Sequence, residues 1–241
     1  MQKLKSWILI TGAGKRIGFE LAKHLASHGQ NVLISYRTFY PQIEELTKLG
    51  IIAVMADFST EQGIVNFAEQ IHHHCPKLRA IIHNASDWQS ESTENLTALS
   101  TLFDNMMQIH AKVPYLLNQA LLPLLLKNDE IPSDIIHISD YIVQKGSDKH
   151  LAYTASKAAM ESLTLSFAKK YAPHVKVNTI APALIAFNEQ DDETYRLQAQ
   201  QKSLMAKCGG YPEMLAAVDY LLQSKYVTGS CLTVNGGRHL K

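Results

Sequence analysis

The sequence is poor in cysteine and nearly free of net charge. Cys75, Cys208 and Cys231 are the only thiols in 241 residues, an odd, widely spaced set without a CxxC. That pattern excludes a disulfide framework or a cysteine-rich zinc site and fits reduced thiols in the cytoplasm. Lysine and arginine total 23 against 22 aspartates and glutamates, so neither nucleic acid nor an anionic membrane has an electrostatic claim on the chain. No long apolar run is present. Trp7–Ile10 follows two lysines as a signal peptide might begin, but it stops after four residues at Thr11-Gly12, far short of an export or membrane-spanning segment. The sequence has no internal repeat, no low-complexity linker, and no G-x-S-x-G elbow around Ser139 or Ser156. His72-His73-His74 ends an amphipathic stretch just before Pro76; neighbouring residues on a helix point in different directions, so the run reads as a solvated helix end rather than a metal site.

What is present is a steady alternation. Short apolar runs at Trp7–Ile10, Val32–Ser35, Ile52–Met55, Ala80–His83, Ile135–Ser139, Val175–Ile180 and Cys231–Val234 read as strands. Between them lie helical periods such as Phe19, Ala22, Leu25 and Ala26, or Ile64, Phe67, Ala68 and Ile71. This predicts one α/β domain over residues 1–241, a parallel sheet covered on both faces. The stretch Ala183–Gly210, after Pro182, is polar and unpatterned and is expected to form a substrate lid.

Chemistry-bearing residues cluster at the predicted strand ends. Thr11–Gly18 is a glycine-rich turn between strand and helix, although Ile17 stands where a G-x-G-x-x-G fingerprint has its third glycine. Small residues at Gly12 and Gly14 allow a pyrophosphate to approach the backbone at a helix N-terminus. The second strand ends Ser35-Tyr36-Arg37-Thr38 without the acidic residue that would bond a ribose 2′-hydroxyl. Arg37, helped by Lys15 or Arg16, suits a 2′-phosphate instead, which favours NADPH. Asp57, in Ala56-Asp57-Phe58, is placed to accept from an adenine amine, and Trp88, closing His83-Asn84-Ala85-Ser86-Asp87-Trp88, to stack on a flat ring. Tyr153 and Lys157 are four apart and share a helix face. A cation there is expected to pull the phenol down from its ordinary pKa of about 10. Asp140, thirteen residues before Tyr153, is delivered to the same place from a strand end. Burial would raise its pKa and Lys157 would lower it, a balance left open at this level.

TGxxxRIG at Thr11–Gly18, HNAS at His83–Ser86, YxxxK at Tyr153–Lys157 and the terminal Asn235-Gly236-Gly237 resemble the short-chain dehydrogenase/reductases in order and spacing. The resemblance implies a seven-stranded doubly wound Rossmann sheet, a nicotinamide cofactor, and a homotetramer packed through long helices around 101–127 and 153–171. Four positions depart from the family pattern. Asp140 replaces the usual serine, Arg16 a turn glycine, His110 an asparagine, and Ala183 the glycine after Pro182. The first two resemble the pteridine reductases, in which the turn arginine reaches both cofactor phosphate and pterin and an aromatic in the position of Trp88 sandwiches the pterin.

By that resemblance Asp140, Tyr153 and Lys157 are catalytic. Cofactor contacts are expected from Gly12, Gly14, Lys15, Arg16 and Ile17 in the turn, and from Tyr36, Arg37, Thr38, Asp57 and Phe58 on the adenosine side. Asn84, Ala85, Ser86, Tyr153, Lys157 and Pro182 are expected on the nicotinamide side. Arg16, Ser86, Trp88, Asp140 and Tyr153 are expected to hold substrate. The implied reaction is reduction of a 7,8-dihydropterin by NADPH, hydride to C6 and proton to N5, with dihydromonapterin ahead of dihydrofolate. A carbonyl or oxoacyl reductase is the enzymatic alternative, against which Asp140 and Trp88 argue. A non-catalytic NADP(H)-binding sensor would need neither Tyr153 nor Lys157.

Overall fold

In the computed structural model, which describes residues 6–128 and 131–241, seven parallel strands form one sheet. They are β1 (Trp7–Ile10), β2 (Asn31–Tyr36), β3 (Ile52–Met55), β4 (Leu78–His83), β5 (Ser133–Ile138), β6 (Val175–Pro182) and β7 (Cys231–Val234), in the order β3-β2-β1-β4-β5-β6-β7. Three strands have the expected limits and the others run one to two residues longer or shorter at one or both ends. β5 and β6 are buried along their whole length, as a parallel sheet between two helical layers requires. The chain reverses its direction of travel between β1 and β4, and in open α/β sheets ligands bind at such a switch point, outside the strand C-termini.

One face carries α3 (Glu61–His74), α5 (Val113–Leu125) and α7 (Leu151–Tyr171), whose Phe67, Ile71, Leu117, Leu121 and Phe167 pack on Leu9, Ile81 and Ile135. The other carries α1 (Arg16–Ser27), α2 (Pro41–Lys48) and α9 (Tyr211–Gln223), with Leu21, Leu25, Leu46, Met214 and Val218 against Ile10, Ile82 and Ile136. At the edge of the first layer α4 (Leu96–Met107) runs into α5 through a π-helical turn, Gln108–Lys112. Pro114 accounts for that turn: it lacks an N–H, and its ring presses on the carbonyl four residues back, at position 110. α3 does end in the three histidines, where His72 Nε2 lies 2.9 Å from the Ala120 carbonyl. No set of metal-ligating side chains forms among the described residues.

The segment after β6 corrects the sequence reading. It contains a helix, α8 (Glu193–Gln201), whose N-terminus is capped by Asp192 accepting from the Tyr195 N–H at 2.7 Å. Only Ala199 of this helix is buried, so no apolar period announces it. A short helix, α6 (Ile142–Lys145), also follows β5. No helix among the described residues is long and apolar enough to cross a membrane.

Candidate active site

A cleft of about 510 Å³ opens at the C-terminal ends of β1, β2 and β4. The glycine-rich turn forms its floor, and the glycines are there for space. A Cβ on Gly12, whose φ is +65°, would sit 2.6 Å from Ala85 Cα, and one on Gly18 would sit 2.5 Å from Asn84 Nδ2. The turn is knitted to the end of β4: Thr11 Oγ1 accepts from the Asn84 and Ala85 N–H groups, and the Asn84 amide donates to the Thr11 and Gly12 carbonyls. Asn84 lines the cleft but spends its side chain on this brace. Ser35 Oγ accepts from Gly12 N–H at 3.0 Å, a contact between turn and strand that no motif announced.

Arg16 pays for its place in backbone conformation. Its φ is +56°, a left-handed geometry that costs a side chain about 1–2 kcal/mol. The guanidinium leaves the turn to donate to Asn188 Oδ1 and the Ala186 carbonyl, joining the head of α1 to the segment after β6. Lys15 sits over the Tyr40 ring, 5.0 Å from its centroid. The first turn of α1 contains no acidic residue, so no carboxylate competes for its N–H groups, an arrangement that suits an anion.

Arg37 is 72% exposed and 3.8 Å from Asp87 Oδ2, a loose surface pair that holds it weakly. Tyr36, Thr38 and Phe58 line the same cleft, as do Ile17, Ala85 and Ser86. Asp57 is turned into its own loop, accepting from Ser59 N–H at 2.9 Å, and that bond holds its carboxyl below the ordinary range. Pro182 is buried in β6 and does not line the cleft; its carbonyl accepts from Tyr141 N–H. Asn105, Gln108 and Ile109, contributed by α4 and the π turn, complete a wall that sequence patterning missed.

Beyond the residues that line this cleft, behind Ser86, Tyr153 OH donates to Asp140 Oδ2 at 3.0 Å, while Asp140 Oδ1 accepts from Ile142 N–H at the start of α6; Asp140, Tyr153 and Lys157 do not themselves line the cleft. Asp140 therefore caps a turn and faces the phenol at once. Ser139 points the other way, donating to Glu161 Oε1 at 2.7 Å. Lys157 Nζ donates to the Ile138 carbonyl at 2.8 Å and is 5.7 Å from the Tyr153 ring centroid. The expected depression of the phenol does not occur. Burial, then the Asp140 charge and hydrogen bond, push the Tyr153 pKa well up. Burial also raises Asp140 and lowers Lys157 to about 8. All three shifts favour neutral side chains: the carboxyl and phenol keep their protons more readily than usual, and the ammonium loses its proton more readily.

Glu91 sets the pose of α7. Its carboxylate accepts from the Leu151 and Ala152 N–H groups at 2.9 and 2.8 Å, capping that helix from sixty residues away. Trp88, on the same loop, is 63% exposed, with its ring centroid 4.5 Å from that of His150. It stands at the rim with one partner already in place.

This sheet, the glycine-rich turn and the Tyr153–Lys157 helix define the class: the chain belongs to the short-chain dehydrogenase/reductase family. Residues 12–239 match a family model described as enoyl-(acyl carrier protein) reductase. A dihydromonapterin reductase of Klebsiella pneumoniae is 55% identical over 234 residues, 97% of each chain. One of Escherichia coli strain 536 is 53% identical over the same share. Among solved structures, an alternative dihydrofolate reductase (FolM) of Brucella canis complexed with NADP superimposes with a TM-score of 0.87 at 26% identity, over 98% of this chain and 94% of that one.

Proposed function

We propose that this protein is an NADPH-dependent dihydropterin reductase, acting on dihydromonapterin and more weakly on dihydrofolate. One observation carries the reading: the side chain that meets the Tyr153 hydroxyl is the Asp140 carboxyl, with Ser139 turned away to Glu161. A neutral hydroxyl suits a carbonyl oxygen, whereas a buried carboxyl can hold a proton for a basic ring nitrogen. Relatives above 50% identity that are named dihydromonapterin reductase support it.

The residues fit the cofactor. The glycine cradle, the acid-free head of α1 and Lys15 and Arg16 suit a pyrophosphate, and exposed Arg37 suits a 2′-phosphate. When bound, NADPH supplies the hydride. Lys157, anchored on the Ile138 carbonyl, orients the ribose, and Arg16 favours negative charge on phosphate and pterin. Trp88 covers the outer face of the heterocycle and limits its freedom before reaction. Asp140 and Tyr153, joined by their hydrogen bond, hold the proton destined for N5.

Following NADPH absorbance with dihydromonapterin, dihydrofolate and a panel of ketones tests this reading. Dihydromonapterin should turn over fastest; turnover of ketones alone would overturn the substrate class, and turnover of nothing would remove the enzyme reading. Replacing Arg37 with Asp is expected to reverse cofactor preference toward NADH, since a carboxylate repels a 2′-phosphate and can accept from a 2′-hydroxyl. An unchanged NADPH/NADH ratio of kcat/KM would show that Arg37 does not read the phosphate.

A homotetramer is part of the proposal. Phe103 of α4, Tyr115 of α5 and Leu165 of α7 are 46, 44 and 55% exposed on one helical layer, an apolar set suited to a second copy. Light scattering should give four times the 26.9 kDa chain mass; a mass of one chain would exclude the assembly. The free thiols of Cys75, Cys208 and Cys231 suit a reducing cytoplasm.

A further inference from the structure

His110, at the centre of the π turn, is wholly buried and bonded through both ring nitrogens. Nδ1 lies 2.8 Å from Ser156 Oγ on the catalytic helix, and Nε2 lies 2.8 Å from Ser86 Oγ on the cleft wall. The direction of every proton in this chain follows from its far end. Ser156 Oγ is 2.7 Å from the Tyr153 carbonyl. A carbonyl only accepts, so the single Ser156 hydroxyl proton is spent there. Ser156 Oγ can then only accept from the ring, which places the imidazole proton on Nδ1. Nε2 is left with a lone pair, and its partner, the Ser86 hydroxyl, must donate to it. A competing contact from Ser86 Oγ to the Asp87 carbonyl is longer, at 3.3 Å.

We propose that His110 is a positioning residue that fixes the Ser86 hydroxyl as a pure hydrogen-bond acceptor toward the cleft, so that the site selects substrates presenting an N–H donor there. Ser86, with its one proton committed, offers the cleft only lone pairs. A dihydropterin carries an exocyclic amine and ring N–H groups that satisfy them. A simple ketone has no such donor and would leave the serine facing its own lone pairs. Burial supports the assignment, since it holds the imidazole neutral with a pKa pushed down to about 2. The ring also meets Tyr153 edge-on, with centroids 5.4 Å apart, so it packs against the phenol that Asp140 accepts from. The choice of substrate donor rests on the dihydropterin reading; the tautomer does not.

Two measurements separate those dependencies. In protein labelled with 15N-histidine, long-range proton–nitrogen correlation spectra should show His110 as the Nδ1–H tautomer with a bare Nε2, unchanged between about pH 5 and 9. A protonated Nε2 would overturn the proposal whatever the substrate proves to be. The second compares a dihydropterin with its analogue in which the 2-amino group is replaced by methyl, and with an N8-methyl analogue. In the wild type at least one donor-free analogue should lose about 10-fold in kcat/KM, mostly through KM. In Ser156→Ala the ring proton is free to move to Nε2, and the penalty should fall to about 2-fold or less. His110→Leu should act likewise, and NADPH fluorescence titration with a thermal melt checks that both variants are folded. An undiminished penalty in folded Ser156→Ala or His110→Leu would show that His110 does not set the polarity of Ser86. Failure of the wild type to reduce any dihydropterin would instead defeat the functional reading and leave the tautomer result standing.

Discussion

Replacing Asp140 with asparagine is expected to lower kcat for dihydromonapterin by about 100- to 1,000-fold while NADPH binding survives. Asparagine keeps the shape and can still accept from Ile142 N–H or Tyr153 OH, but it has no acidic proton to give. The pH dependence carries a sign. Burial is the largest influence on Asp140 and raises its pKa above the ordinary carboxylate value. The proton-bearing form is therefore complete at low pH and is lost as pH rises through the raised value, so the wild-type rate should fall on the alkaline side with a limb that Asp140→Asn lacks. Stability runs with the same sign. A raised carboxyl contributes fully below its unfolded pKa and loses that contribution as pH rises through the folded one. The variant should therefore melt higher than wild type above neutrality. A kcat within about 2-fold of wild type would remove Asp140 from proton transfer.

Asp134→Asn is expected to cost about 3–5 kcal/mol of stability without harming the chemistry of molecules that remain folded. Asp134 is wholly buried near the start of β5, paired with both Arg79 and Lys176. Those cations also donate to the Leu222 and Leu221 carbonyls at 2.6 and 2.8 Å. One carboxylate thus holds two cations that close the C-terminal end of α9. Its loss leaves one buried and one largely covered positive charge sharing a neutral amide. A melting-temperature drop on the order of 10 °C should follow, with kcat per active site unchanged, because the triplet lies at the end of the sheet away from the cleft. A melt within about 2 °C of wild type would show that the charges are relieved by water.

Most of the framework was readable because its causes are local. The run Trp7–Ile10 is a strand in the structure with unchanged limits, since a short apolar run between turn residues has few other ways to bury itself. Counting back from Tyr153 selected Asp140 over Ser139, and the two side chains do point in opposite directions. What escaped was set by contacts between distant residues or by an absent pattern. Helix α8 buries one residue and leaves no period to detect. Glu91 caps a helix sixty positions later, beyond any capping motif. The Tyr153 pKa was misjudged because spacing revealed the cation four residues on, but not that burial and a nearer carboxylate would outweigh it. His110 could be seen as unusual, but its two serine partners could not.

The π turn before Pro114 has a bearing on how the long helix divides its labour. A continuous α-helix advances 100° per residue, so what one half presents to its surroundings dictates what the other half must present. The wider winding at Gln108–Lys112 breaks that lockstep. Upstream, Asn105 and Met106 are phased to the cleft; downstream, Leu117, Leu121 and Leu124 are phased to the sheet. Each half can be altered by substitution without rotating the other, whereas shortening the turn by one residue would swing the leucines out of the core and His110 away from both serines.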